Sequence, residues 1–297
     1  MLSRMNRGKT RRKARTIYDL PAYVINMDER PDRWKRFTEH NAIFSFRNLE
    51  RFPAVNGKRL NYKKDRRISL KTRMNISRNY RRSHYEIATL GAIGASMSHI
   101  GVWKKFIASG APMCVVFEDD VMLSEVQLHT VNEILTELPH DCGVWILGCY
   151  LPNLIIEPLA RSKWSEVHKF TAAHAYIITR DAAKKLLEEP YPIEMHIEYY
   201  MTAAAAIKDF KVLQHSDVHL EFFRKERGPR TIDSNTSQHK KSGCPSCDFP
   251  DDYNQLYRGF TRKTKNGIKI AGVIDGEQPR EILTYDKPAR RNNSTHP

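Results

Sequence analysis

The chain has 297 residues, with 49 lysines and arginines against 34 aspartates and glutamates, and a formal net charge of +15. No apolar run approaches the roughly 18 residues that cross a bilayer as a helix. The basic start MLSRMNRGKTRRKARTIYDL has no apolar stretch behind it, which reads against a secretory signal and leads us to expect a soluble, non-secreted protein.

The charge is local. Residues 1–16 hold seven Lys/Arg and no acid, residues 58–82 hold eleven against Asp65 alone, and the remaining chain is close to neutral. Such runs bind polyanions of any kind or are simply solvated, so they point to an anionic surface without naming a substrate. The five cysteines, among them Cys114, Cys142 and Cys149 in apolar strands, read as core thiols of a reducing compartment.

Behind a basic tail expected to be disordered over 1–20, AYVINM (22–27) reads as a strand, and DERPDRWKRF as the helix after it. Asp28 suits the cap, Pro31 the first turn and Asp32 the positive end of the dipole. Asn26, Asp28, Arg30 and Arg33 gather at this handover, which suits a nucleotide base, ribose or phosphate and equally suits a cap with a solvated basic face. LERFPAV (49–55) is a second strand before the Asn56-Gly57 turn. The basic segment 58–85 lacks an apolar period and reads as a long loop or poorly packed helices able to cover a site.

From Thr89 the spacing of Leu90, Ile93, Met97, Ile100, Trp103 and Ile107 predicts an amphipathic helix of about five turns, capped by Thr89 and stopped at Gly110. Its second stripe, Gly91, Gly94, Ala95, Ser98 and Gly101, is small, which implies close approach of another backbone or a ligand. His99 beside it is a metal ligand or base, or a hydrogen-bonded half-buried residue, and the latter is preferred. Next comes MCVVFEDDV (113–121), a strand covered on both faces that runs into three carboxylates. Alternation puts Glu118 and Asp120 on one face and Asp119 on the other while the strand persists, so Glu118 and Asp120 are the candidate metal pair. The competing reading is that Asp119 or Asp120 begins a turn.

Further on, 123–138 reads as a helix, 143–149 and 174–179 as strands, 181–187 as a helix opened by Asp181, 193–210 as one helix holding Glu194, His196 and Glu198, and 211–214 as a last strand. The order fits α/β architecture, a mixed, mainly parallel sheet flanked by helices. We expect one domain over 21–225 and an irregular extension over 226–297 with a disordered end. Cys244-Pro-Ser-Cys247 is a lone CxxC near His239, short of the four ligands of a structural zinc.

The blocks AYVINMDERPDRW, RFPAVNG, LGAIGASMSHIGVWKKFIASGAP with VVFEDDV, WILG and HAYIITRDAAKKLLE, in order within about 22–215, resemble glycosyltransferase family 25. The resemblance implies a GT-A-like fold and a hexosyltransferase that takes galactose or glucose from a UDP-sugar to a glycan, lipid-linked or protein acceptor. It implies Glu118 and Asp120, with Asp119, as a D-x-D-like site for Mn²⁺ or Mg²⁺. It places Asn26, Asp28, Arg30, Arg33, Gly91, Gly94, Ser98 and His99 on the nucleotide-sugar side. Glu198 falls where the family carries an aspartate and is the candidate catalytic base, with His196 or Asp119 behind it. Ala92 stands where most members have glutamate, which leaves room for a non-catalytic relative. A nucleic-acid-binding protein using its basic segments is the rival from another class, and a metal-dependent nuclease or nucleotidyltransferase shares the acids.

Overall fold

The computed structural model describes residues 16–42, 44, 46–83, 85–149 and 154–218 and three short C-terminal strands. The stretch from 219 is otherwise outside the described residues, as are residues 1–15, so the CxxC, the expected disordered C-terminal end and all but residues 16–20 of the expected disordered tail lie there.

Eight strands form the body of the sheet: β1 (Pro21–Asn26), β2 (Asn48–Pro53), β3 (Met113–Glu118), β4 (Cys142–Gly148), β5 (Ile155–Pro158), β6 (Trp164–Lys169), β7 (Ala175–Thr179) and β8 (Lys211–His215). Their order is β2-β1-β3-β7-β4-β8-β6-β5. β2, β1 and β3 are parallel, as are β4 and β8, whereas β7 and β6 pair antiparallel with both of their neighbours. Six of the eight strands therefore point one way, the mixed and mainly parallel sheet expected. β9 (Thr261–Lys263), β10 (Ile268–Ala271) and β11 (Ile282–Tyr285) extend it antiparallel from β5, within the extension expected to be irregular.

The helices are α1 (Pro31–His40), α2 (Leu70–Arg78), α3 (Leu90–Ala108), α4 (Glu125–Ile134), α5 (Arg180–Glu188) and α6 (Ile197–Ala205). Alternation along β3 divides the core. Cys114 and Val116 pack with Ile93, Met97, Ile100 and Trp103 of α3, while Val115 and Phe117 pack with Phe37 of α1 and Leu128 and Val131 of α4. With both faces covered, a fully buried valine or phenylalanine here contributes roughly 1.5–3 kcal/mol relative to exposure.

α3 runs as its spacing predicts, with the Thr89 hydroxyl accepting from the Ala92 N–H and Gly110 beyond it at φ +77°. It is buried on more than one side, because the loop after β2 packs on its small-residue stripe. A Cβ on Gly94 would stand 2.4 Å from the Val55 carbonyl oxygen and 2.8 Å from the Gly57 nitrogen. Backbone, then, is what approaches Gly94.

Several expectations are corrected. Residues 16–20, expected within a disordered tail, are packed, with Ile17 and Leu20 buried. Residues 58–85 are not a long loop: Ser69 caps α2, Asn79 closes it in the left-handed region, and Ile68 and Glu86 bridge to Ile193 and Met195. Pairing with that segment, together with Pro190 and Pro192, keeps 193–196 out of the helix, so α6 begins only at Ile197. Thr179 rather than Asp181 caps α5. β5 and β6 went unpredicted, being short and partly exposed.

Candidate active site

The carboxyl ends of β1 and β3 meet where the acids lie. β3 stops at Glu118, and a turn follows in which the Val121 N–H donates to the Glu118 carbonyl at 3.3 Å. Strand parity therefore holds for Glu118 and fails for Asp120. Glu118 faces α3, its Oε1 3.8 Å from His99 Nε2. Asp119 and Asp120 instead share one nitrogen of α1: Arg33 Nη2 lies 3.0 Å from Asp119 Oδ1 and 2.7 Å from Asp120 Oδ2. The expected Glu118–Asp120 pairing on a common strand face is thus replaced by an Asp119–Asp120 pair around Arg33.

Asp119 is the interior member. Its side chain is 7 % exposed and its Oδ2 accepts from Asn26 Nδ2 at 2.6 Å. Burial pushes its carboxyl up to about 6; Arg33 and Asn26 oppose this, and Asp120 and Glu118 add to it. Asn26 also donates to the Arg30 carbonyl and accepts from Arg51 Nε at 2.7 Å, and Arg51 Nη2 reaches Asp28 Oδ1 at 2.7 Å. A continuous charged network runs Asp28, Arg51, Asn26, Asp119, Arg33, Asp120.

Arg51 was missed from sequence; its one signal was a cation inside the short strand LERFPAV. Arg33 is engaged by carboxylates, and Arg30 forms a two-point pair with Asp32, holding that carboxyl down to about 2. Asp28 does not cap α1, since Arg30 occupies the cap position.

On the α3 side the Tyr176 hydroxyl, fully buried, accepts from Trp103 Nε1 at 3.0 Å and lies 2.9 Å from His99 Nδ1. If the hydroxyl donates its hydrogen to Nδ1, the imidazole proton lies on Nε2, facing Glu118. His99 is thus hydrogen-bonded, as preferred from sequence, but fully buried where half-burial was expected, with one nitrogen aimed at the acid. Ser98 fixes a loop: it donates to the Gly94 carbonyl and accepts from the Val55 N–H at 2.8 Å. Gly91 lies in the first turn of α3, apart from the acids' hydrogen bonds.

Glu198, in the first turn of α6, joins the site through the 170–174 segment. It accepts from the Ala172 N–H at 3.1 Å, while the Glu118 N–H donates to the His174 carbonyl at 2.9 Å. Burial lowers the pKa of His196 next to it.

Glu118 and Asp120 leave 23 % and 21 % of their side chains exposed. They present hard carboxylate oxygens of the kind that hold Mg²⁺ or Mn²⁺. No group of three or more His, Cys, Asp or Glu able to enclose a metal occurs among the described residues. This donor set suits a cation that takes one or two protein carboxylates and completes its shell with phosphate and water.

A family model described as "Glycosyltransferase family 25 (LPS biosynthesis protein)" matches residues 19–151. A glycosyltransferase 25 family member of Aedes aegypti is 28% identical over 188 residues, 58% of this chain and 28% of that protein. One of Anopheles gambiae is 25% identical over 187 residues, 60% of this chain and 30% of that protein. A bovine protein named "Probable inactive glycosyltransferase 25 family member 3" is 25% identical over 172 residues, 56% and 28% of the two chains. The chain thus spans under a third of the length of these relatives.

Among solved structures, a mannose-1-phosphate geranyltransferase of Thermus thermophilus aligns at TM-score 0.33 and 10% identity over 66% of this chain and 73% of that one. An apo UDP-glucose pyrophosphorylase aligns at 0.32 and 11% over 66% and 72%; both scores are too low to bear on function. The matched span holds β1, α3 and the whole Glu118–Asp120 corner, and over residues 19–151 the chain is similar to glycosyltransferase family 25.

Proposed function

We propose that the protein is a metal-dependent hexosyltransferase that moves galactose or glucose from a UDP-sugar to a hydroxyl of a glycan, lipid-linked or protein acceptor. The observation that carries this reading is the carboxylate corner: two partly exposed acids, Glu118 on the α3 side and Asp120 on the α1 side, at the carboxyl end of a buried strand, backed by the buried Asp119 and by Arg33.

Glu118 and Asp120 would hold Mn²⁺ or Mg²⁺, which supplies Lewis-acid neutralisation of the departing diphosphate. The rest is the work of the chain. Arg33 keeps Asp119 and Asp120 together against their repulsion, and Asn26 keeps Asp119 in place. His99, with its proton on Nε2, presents an N–H towards Glu118 and restricts where that carboxylate turns. Asp119, read from sequence as a reserve base, is enclosed by Asn26 and Arg33 and serves as a brace instead. Glu198, tethered to the Ala172 N–H through one oxygen, is the base. In a direct displacement the acceptor hydroxyl gives its proton to Glu198, its oxygen bonds to the anomeric carbon, and the bond from that carbon to UDP breaks.

The test is release of UDP from UDP-galactose and UDP-glucose by purified protein supplied with acceptors, with Mn²⁺ or with EDTA. Metal-dependent release that is lost in Asp120→Asn, with the circular dichroism of the folded protein retained, is the expected result. Absence of release from either donor would remove the reading and favour a non-catalytic member, the condition named for the bovine relative.

A further inference from the structure

Seven large apolar side chains stand exposed among the described residues, and four of them, Leu70, Met74, Tyr80 and Tyr85, fall within one short stretch of the basic segment. Leu70 is 66% exposed and Met74 40%. Four residues apart on α2, they form one ridge. Thr72 and Asn75 on the opposite side are buried, and Arg78 and Ser77 flank the ridge on the open side.

The ridge is bordered by cations. Arg73 Nη1 donates to the Lys63 carbonyl at 2.9 Å and Tyr62 meets Ser77 at 3.3 Å, which lays the 61–66 turn along the helix. Three nearby carboxylates are already engaged: Asp65 by Arg67, Glu86 by Lys71 and Arg82, and Glu29 by Arg59. Lys58, Lys63, Lys64, Arg66 and Arg78 are exposed and have no ion pair among the described residues.

We infer that α2 and the 61–66 turn dock on an anionic lipid bilayer surface, with Leu70 and Met74 entering the headgroup boundary and the free lysines and arginines meeting lipid phosphates. Charge complementarity alone fits any polyanion. The apolar ridge selects the bilayer, because a nucleic-acid backbone gives Leu70 and Met74 nothing to bury against, whereas an interfacial helix combines both terms.

The docking face is held firmly. Ser69 N–H donates to the Ile193 carbonyl, and His196 N–H donates to the Tyr85 carbonyl. Those contacts join the face to the segment that leads into α6 and Glu198.

The experiment is sedimentation of the full chain with vesicles of phosphatidylcholine, with and without phosphatidylglycerol, in the absence of sugar nucleotide. Binding is read separately from UDP release, so the failure of one does not touch the other. The expected result is binding to the phosphatidylglycerol vesicles that weakens with salt. It should fall at least about tenfold in Leu70→Glu/Met74→Glu and roughly fivefold per cation in Lys63→Gln/Lys64→Gln. Both pairs are on the surface, and unchanged circular dichroism checks their folding, with Leu70→Ser as a milder substitute. Absence of binding to anionic vesicles overturns the inference. So does binding that Leu70→Glu/Met74→Glu leaves intact, and so does RNA binding without vesicle binding, which assigns the face to nucleic acid.

Discussion

Asn26 Nδ2 donates to Asp119 Oδ2 at 2.6 Å, joining the last residue of β1 to the first residue beyond β3. Leucine at position 26 keeps the volume and removes the donor, leaving a buried carboxylate with one charged partner. Asn26→Leu should lose about 2 kcal/mol, seen by calorimetry as a melting point lower by roughly 4–8 °C for a domain of this size.

Arg33 is the counterion of two adjacent acids. In Arg33→Gln the negative charges of 118–120 repel without compensation, at a cost that added salt screens. The variant should melt lower than wild type at low ionic strength and recover part of the difference as salt is added, in a thermal titration run on both proteins.

Glu198 has a role that a conservative change separates. Glutamine still accepts from the Ala172 N–H but takes no proton. Glu198→Gln should keep its melting temperature and the KM for the donor while kcat falls about 10²–10⁴-fold. A fall in stability matching the fall in rate would make Glu198 structural.

Gly94 is packed against backbone, which cannot swing aside. Gly94→Ala should cost about 1–3 kcal/mol, measured by denaturant unfolding. Gly101→Ala meets only the Phe52 ring, at 2.7 Å, and should cost less.

Glu86 governs the acid response of the basic segment. Burial raises its pKa, but the Arg82 N–H, Lys71 and Asn75 outweigh that and hold it below the ordinary 4.5. Because the folded value is depressed, its stabilisation is complete above pH 4.5 and is lost as the pH falls through the folded value. The protection factors of the amides over 68–82, with intrinsic exchange rates divided out, should fall below about pH 4.5 in wild type. In Glu86→Gln they should already be lower at neutral pH and change little with acid.

The strands and helices with strong periodicity were legible: β1, β3, β4, β7 and α3 lie within a residue or two of their apolar runs. What failed was decided by distant partners. Nothing near residue 193 announces that Ile68 and Glu86 will pair with it, and a basic stretch without period does not reveal that one buried glutamate organises it. The acids were found at once, but their division of labour was not. Alternation is a property of strands, and β3 ends one residue before it would have governed Asp119 and Asp120. Arg51 reaches the network from a neighbouring strand, a contact set by the sheet order.

β7 runs opposite to β3 and β4, the strands on either side of it. Its entry, residues 170–174, therefore arrives at the edge where β3 ends, and that wall of the site is built by chain approaching a strand instead of leaving one. The wall is tied in by main-chain bonds, Glu118 N–H to the His174 carbonyl and Ala172 N–H to Glu198, only the latter calling on a side chain. Phe170, Ala173 and His174 of this entry are buried, and Ala172 takes the left-handed region at φ 62°. The wall is therefore an extension of the core, and a change of length between β6 and β7 would be felt in the packing of the sheet before it was felt at the acids.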